Sequence, residues 1–452
     1  MPSASQRPLR APIRIRDPIH GTIQLAREEI ALVDSPAYQR LRMIKQLGLA
    51  DLAFPGATHT RYAHGLGVLH IATGMFNQLE RAYALPAPEA QRLRATVRLA
   101  ALFHDLGHAP LSHTTEAFMP PVGALGMGRW LEGSPDRRAS HEDYTIKILV
   151  DSDLTRRIEQ HLTPETGVTA EDVAAVIAGW TPDAKLRERF RVQGRDLMPV
   201  LRQCVSSELD ADRMDYLLRD SYYAGVPYGR YDHEWLLENL LPVERGDRIY
   251  LGLDARASFG FEDFLLSRYH MFTSVYFHQI PIGYEVMLTR YFDEAKGELE
   301  VPHDVEAYLR CDDIYLWTVL RQSRNPWAKR MIERRAYRML VEVKQFDQRA
   351  EGESEPDLDA VTARLAERGI HALVHSAKGE LSKYFKATRP RPSTEDSNPP
   401  LYVVDGARSI PIEQYTPLYE RYAGAVHLRR LYVDPEQLDA AKRVLSELRE
   451  AS

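Results

Sequence analysis

Between His64 and Tyr83 the apolar side chains fall at Val68, Ile71, Ala72, Met75 and Leu79, three and four residues apart. That period places them on one stripe of a helix. The same reading predicts helices over 89–104, 141–150, 170–180 and from Asp210 to Tyr223. From 27 to 50 the pattern is again helical, with Ser35-Pro36 as a start and Gly48 as a stop. A long helical stretch from Phe261 to Ala295 is interrupted at Pro281, because proline lacks the amide hydrogen that a helix interior uses. Residues 119–140, rich in glycine and proline, predict a loop.

The last third changes character. Short apolar runs at 337–345, 370–375 and 401–404 predict strands, with helices over 355–368 and 435–449. Polar stretches at 350–357 and 387–400 predict loops. The expected fold class is mainly α. After a disordered leader at 1–12 comes an all-α body over 13–325, then a smaller α+β lobe over 326–452.

Composition adds boundaries. A chain of 452 residues has room for a large core and two or three domains. Apolar residues at 44% and charged residues at 27% fit an ordinary globular protein. No apolar run reaches the length of a membrane span, and no apolar segment follows the start of the chain. Neither a membrane anchor nor a secretory signal is expected. The two cysteines, Cys204 and Cys311, stand in unrelated contexts, which argues against a disulfide scaffold and a Cys-ligated zinc and fits a cytoplasmic location. A formal charge of −6 gives no support to a nucleic-acid coat protein, although a local basic groove remains compatible with a phosphate-rich small molecule.

One segment concentrates chemistry. His104, Asp105, His108 and His113 lie within ten positions, flanked by apolar residues. A buried His or Asp is costly unless partnered, so a metal, a phosphate or ordinary hydrogen bonding must satisfy the cluster. Neighbours His104 and Asp105 point about 100° apart on a helix. At a helix end, where Gly107 lets the chain turn, they can converge on one ion. Imidazole with carboxylate suits Mn, Fe, Zn or Ni, and further donors are on offer at His64 and Asp212. Any one of these histidines alone reads more readily as a hydrogen-bonded core residue; the set together points to a site.

The H…HD…D order resembles that of the HD-domain phosphohydrolase superfamily, and the chain is similar to its deoxynucleoside triphosphate triphosphohydrolases. The likeness is carried by Asp17-Pro-Ile-His-Gly21, Gln39-Arg-Leu-Arg-Met-Ile-Lys-Gln-Leu-Gly48, Phe54-Pro-Gly-Ala-Thr-His-Thr-Arg61 and His64-Gly-Leu-Gly-Val68. It continues through His104–His113, Ser140-His-Glu142, Asp210–Asp220 and Leu428-Arg-Arg-Leu-Tyr-Val433, and so covers about residues 13–450.

The resemblance implies a reaction in which a dNTP and water give a deoxynucleoside and triphosphate by attack at the α-phosphorus. It implies His64, His104, Asp105 and Asp212 as metal ligands for one tightly held divalent transition metal, with Mg or Mn accompanying the nucleotide. His113 resembles the general acid. Glu116 would orient it, standing where an aspartate is expected. His108 and His141 resemble α-phosphate contacts. Arg61, Arg213 and Arg268 resemble phosphate-binding cations, with Arg213 standing where lysine is expected. Tyr276 matches the ring that leaves no room for a 2′-hydroxyl, and Gln46 and Asp220 match the groups that bond the 3′-hydroxyl. Leu47 and Tyr216 complete the substrate wall. Independently, Asp212, Tyr216 and Asp220 recur every four residues and share one helix face.

Asp34, Gln39 and Arg42 match a nucleotide-activator site (GTP or a dNTP), although Ile13 stands where a lysine is expected and Arg16 where an asparagine is. Arg335 and Arg338 would supply cations from another subunit of a homo-oligomer, a dimer or tetramer. Two other readings compete. One is an HD phosphohydrolase acting on a nucleoside monophosphate or an alarmone. The other is a nucleotide sensor or nucleic-acid binder without catalysis, against which stands the full set of expected ligands and the proton donor.

Overall fold

The computed structural model describes residues 12–346, 357–380, 399–416, 418 and 425–451. All but the last residue of the leader expected at 1–12, and most of the loops expected at 350–357 and 387–400, lie outside the described residues.

The body is built around α1 (Arg61–Ala82), packed against α2 (Ala87–Phe103) and, further along the chain, α6 (Ala211–Ala224). Every residue of the predicted stripe on α1 is buried: Val68, Ile71, Ala72, Met75 and Leu79. Leu66, Leu69 and Phe76 on its other flanks are buried as well, so α1 is a central helix and not an amphipathic surface one. α5 (Met198–Val205) packs on α1 and α2, α4 (Ala170–Ala178) packs on α2 and α5, and α3 (His141–Val150) packs on α4. The starts of α3 and α4 are set by capping boxes, Ser140 with Asp143 and Thr169 with Asp172. Asp210 caps α6 by accepting the backbone N–H of Arg213 at 2.8 Å.

The fold is mainly α, with an α+β lobe at its end, but the body also carries strands that periodicity did not reveal. β1 (Ile13–Asp17) and β2 (Gly21–Leu25) form a hairpin. β3 (Leu240–Arg245) and β4 (Arg248–Asp254) form another. The continuous helix expected over 27–50 is broken. It runs Arg27–Val33, restarts behind Ser35 as Pro36–Gln39, tightens at Arg40–Met43 and is extended at Ile44. Buried Arg40 explains the tightening. Its guanidinium donates to the carbonyls of Leu106, His108 and Cys311 and draws this segment against the HD loop.

The stretch from Phe261 to Ala295 is interrupted before Pro281, not at it. Helix α7 (Ser258–Met271) widens into a π turn over Phe272–Tyr276, and the chain breaks at Phe277 and His278 before α8 (Gln279–Glu294). Pro281 falls in the first turn of α8, where the amide hydrogen is not used within the helix.

In the lobe, β5 (Arg338–Phe346), β6 (Ala372–Glu380) and β9 (Ala425–Val433) make an antiparallel sheet with β9 in the centre. Helices α9 (Leu358–Glu367) and α10 (Leu438–Ala451) share an apolar core with this sheet. The strand expected at 401–404 does not join it. β7 (Tyr402–Asp405), with its hairpin partner β8 (Arg408–Pro411), pairs in parallel with β4 of the body.

Candidate metal centre and substrate cavity

Three helices aim the metal-type donors at one point. His64 lies in the first turn of α1, His104 and Asp105 fall just past the end of α2, and Asp212 lies in the first turn of α6. His64 Nε2 is 3.0 Å from Asp212 Oδ1 and 3.8 Å from Asp105 Oδ2. His104 Nε2 is 3.2 Å from Asp105 Oδ1 and 3.5 Å from Asp212 Oδ1. Each ring is held from behind: His64 Nδ1 by Asp215 Oδ2 at 2.7 Å, and His104 Nδ1 by the Ala101 carbonyl at 2.7 Å. These contacts fix a proton on each Nδ1 and aim each Nε2 inward. His104 Nε2 is buried and has no hydrogen-bond partner among the described residues.

An orphaned ring nitrogen facing two carboxylates is a cation's environment, so the donor set fits a divalent metal. The electrostatics agree. Burial opposes a charge on His64, yet the Asp212 and Asp215 carboxylates overturn that and raise its pKa to about 10. Burial likewise opposes ionisation of Asp105, but Arg61, His104 and His108 hold its carboxyl well below the usual range.

Behind this set lies a network to which the sequence reading assigned no role. Asp215 also accepts His20 Nε2 at 2.6 Å and Arg219 Nε at 2.8 Å, and Arg219 continues to Asp17 at 2.9 Å. Gly67 makes the approach feasible, since a Cβ there would lie 1.9 Å from Asp215 Oδ1 and 2.4 Å from Arg219 Nη2. The available signal was the Asp17–Gly21 motif together with the four-residue spacing of Asp215 and Arg219 on α6.

A second histidine cluster adjoins the first. His108 stacks on His141 at 4.1 Å and meets His113 edge-on at 4.9 Å. Glu116 joins two of the three, accepting His113 Nδ1 at 3.0 Å and His141 Nδ1 at 2.5 Å. Burial works against ionised Glu116, but bonds from His113 and His141 more than offset it and lower its pKa. Burial, Arg61 and His141 push His108 well below the ordinary imidazole range, which leaves its ring neutral. Gly107 does not adopt a left-handed turn here. It is glycine because a Cβ would meet the His141 carbonyl at 2.0 Å and the Thr145 amide nitrogen at 2.4 Å. The left-handed conformation falls instead on Leu111 (φ 55°) and Ser112 (φ 58°), just before His113. Such strain persists only where surroundings over-determine it. Here Asp313 accepts the Leu111 amide at 2.8 Å, and Ser112 Oγ bonds Arg61 Nε at 3.0 Å.

Both clusters open into one cavity of about 540 Å³. Of the expected substrate residues, Arg61, Gln46, Leu47, Tyr216, Asp220 and Tyr276 line it. Arg61 also donates to Asp105. Asp220 accepts the Tyr276 hydroxyl at 2.8 Å and His59 Nε2 at 2.8 Å. Tyr276 reaches that position from the end of the π turn. Glu285, which drew no notice in the sequence, also lines the cavity, and burial pushes its carboxyl up to about 7.

Arg213 and Arg268 are not among the lining residues. Both converge on buried Glu208, Arg268 Nη1 at 2.8 Å and Arg213 Nη1 at 3.4 Å. The residues expected to bind an activator lie elsewhere on the surface. Arg42 donates to Gln39 at 2.7 Å and covers the Tyr62 ring, and Asp34 ends the helix before Ser35. Arg335 pairs with Glu436 at 3.0 Å, and exposed Arg338 opens β5.

Comparison with known proteins agrees with this architecture. Residues 61–220 match the HD domain and residues 232–374 the HD associated region. YwfO of Bacillus subtilis, an uncharacterized protein, is 30% identical over 423 residues, covering 91% of this chain and 84% of that one. Deoxynucleoside triphosphate triphosphohydrolase SAMHD1 of Gallus gallus is 28% identical over 330 residues, covering 68% of this chain. The chain spans about half the length of the SAMHD1 relatives it matches and 60% of an archaeal relative. A solved structure of a hypothetical protein from Aquifex aeolicus superposes with a TM-score of 0.72 at 26% identity, covering 96% of this chain and all of that one. The fold and the donor set thus define an HD-domain protein with its associated region. The chain belongs to the HD-domain phosphohydrolase family, with the SAMHD1 dNTP triphosphohydrolases among its relatives. Among the described residues no helix is long and apolar enough to cross a membrane.

Proposed function

We propose that this protein is a metal-dependent dNTP triphosphohydrolase, converting a dNTP and water into a deoxynucleoside and triphosphate by attack at the α-phosphorus. The observation that carries the reading is a single cavity lined by His104, Asp105 and Asp212, with buried His64 against them, and also by Tyr276, Asp220 and Gln46.

His64, His104, Asp105 and Asp212 would hold the divalent cation (Mn, Fe, Zn or Ni). When bound it supplies Lewis-acid stabilisation of charge on the phosphate oxygens. Arg61, His108 and His141 are disposed to orient the α-phosphate. The water oxygen forms a bond to phosphorus and releases a proton to solvent, and the bond from phosphorus to the 5′-oxygen breaks. His113, held at Nδ1 by Glu116, gives a proton from Nε2 to the leaving 5′-oxygen, a contribution of about 10²–10⁴-fold. Tyr276 excludes a 2′-hydroxyl, and Asp220 and Gln46 bond the 3′-hydroxyl. A site built around a substrate hydroxyl rejects analogues lacking it, because its own buried groups are then unpaired. A nucleotide activator (GTP or a dNTP) bound near Asp34, Gln39 and Arg42 of a homo-oligomer, with Arg335 and Arg338 facing a neighbouring subunit, belongs to the same reading, as does a cytoplasmic location.

A second reading draws on a specific contact. Arg213 and Arg268 pair with Glu208 behind the cavity wall, which suits a substrate with fewer phosphates, such as a nucleoside monophosphate. Incubation of the protein with four dNTPs, four NTPs and four dNMPs in Mn²⁺ or Mg²⁺, with and without GTP, separates the two. Deoxynucleoside plus triphosphate supports the first reading. Inorganic phosphate from dNMPs supports the second.

A further inference from the structure

The sugar end of the cavity depends on a residue that does not line it. His59 is buried behind the wall, two residues before Arg61 and five before His64. Its ring Nε2 lies 2.8 Å from Asp220 Oδ1, across 161 residues of chain. Its carbonyl accepts the backbone N–H of Gln46 at 3.0 Å. The ring is fixed by a nearly parallel stack on Tyr223, with centroids 4.5 Å apart and planes 15° apart. Gln46 and Asp220 lie 174 positions apart in sequence and arrive from unrelated elements. His59 is the residue that bonds both.

The chemistry follows from the carboxylate. Asp220 is buried, so its oxygens need donors. Tyr276 supplies one and His59 the other, one to each oxygen. Because Asp220 can only accept, the imidazole proton sits on Nε2 and is donated to Oδ1. An ionised carboxylate has about four acceptor sites, so two donors leave capacity for a hydroxyl from the cavity side. With Tyr276 alone the carboxylate keeps one tether and can rotate about its remaining torsion.

We infer that His59 is a positioning residue for sugar recognition: its ring holds Asp220, and its backbone holds Gln46, where both meet the substrate 3′-hydroxyl. The inference rests on the dNTP reading and adds to it the element that sets 3′-hydroxyl selectivity. His59 touches no substrate and acts through Asp220.

The test uses the full-length protein loaded with Mn²⁺ and compares kcat/KM for dNTPs with that for the corresponding 2′,3′-dideoxynucleotides. His59→Phe keeps a ring on Tyr223 and removes the donor, whereas His59→Gln keeps a donor and removes the stack. The unaltered protein is expected to favour the 3′-hydroxyl by about 10⁴–10⁵-fold. His59→Phe is expected to cut that preference at least tenfold, mainly through the dNTP, with metal content unchanged by elemental analysis. His59→Gln is expected to restore most of it. A preference that survives in His59→Phe, or that Gln fails to restore, overturns the inference and leaves the dNTP reading standing. Activity on neither nucleotide, or equal activity on both, in the unaltered protein overturns the sugar-end reading and the inference with it. If His59→Phe is insoluble, His59→Ala is read by the same ratio.

Discussion

Beside the cavity, four donors from three helices face each other, the two imidazoles held from behind by Asp215 and the Ala101 carbonyl. Beyond the wall, Arg213 and Arg268 face Glu208 and leave the lining to other residues. Both regions concentrate charge in a buried setting, yet they resolve it differently. The donor set is left with a ring nitrogen that no described group satisfies. The arginines are paired by a carboxylate placed between them, although Arg268 Nε has no partner among the described residues. One is a site in want of a cation, and the other a charge cluster that the fold already neutralises. Residue type alone does not tell a ligand-binding charge from a structural one; what separates them here is that Arg61, though paired with Asp105, lines the cavity, whereas Arg213 and Arg268 do not.

The substitutions that press hardest on this contrast lie at the donor end. Asp212→Ala should abolish tight metal binding and lower turnover at least about 10³-fold, read by elemental analysis and steady-state kinetics. His113→Ala should lower kcat by about 10²–10⁴-fold with metal content unchanged. The arginine cluster should respond in stability. Arg268→Gln removes one partner of a buried pair and should cost about 3–5 kcal/mol in chemical denaturation while metal stays bound. Loss of metal without loss of stability in that variant would reverse the assignment of the two regions. Asp215→Asn acts one step behind the donors and should weaken metal affinity about 10–100-fold, measured by competition with a chelator.

The smallest effect concerns Glu285, whose carboxyl burial raises from an ordinary 4.5 to about 7. The folded state therefore keeps its proton where the unfolded state has lost it. Stability falls as pH climbs from about 4.5 to about 7 and is not recovered above that range. Glu285→Gln removes this loss, so its Tm should exceed that of the unaltered protein at pH 8 and converge with it near pH 4 in scanning calorimetry.

Much of this was legible in sequence where the information is local. The stripe on α1 is buried at every predicted position, and the capping pairs at Ser140 and Thr169 open α3 and α4. The donor types at His64, His104, Asp105 and Asp212 are those a divalent metal takes, and the structure brings the four side chains together. What escaped was non-local. His20 and Asp17 reach Asp215 and Arg219 across about two hundred residues, and no periodicity records such a contact. The fate of Arg268 depends on Glu208, sixty positions away. Strand β9 escaped because its charged run, Arg429-Arg430, masks the alternation. Arg430 is nonetheless buried against Glu342 of the neighbouring strand. The break before α8 escaped because proline was weighted over the π turn that precedes it.

One pairing described above limits how the molecule can be cut. Between the lobe strands β6 and β9, the chain goes back to the body and lays Tyr402–Asp405 beside β4. Gln203 on α5 binds the carbonyls of Pro399 and Pro400 with its amide nitrogen and the Leu251 amide with its oxygen, so it fastens both strands. The lobe is stitched to the helical body, not hung from it. A truncation that removes the lobe would also strip β4 of its neighbour and bare a hydrogen-bonding edge. The helical body therefore keeps its sheet edge covered only with its tail attached.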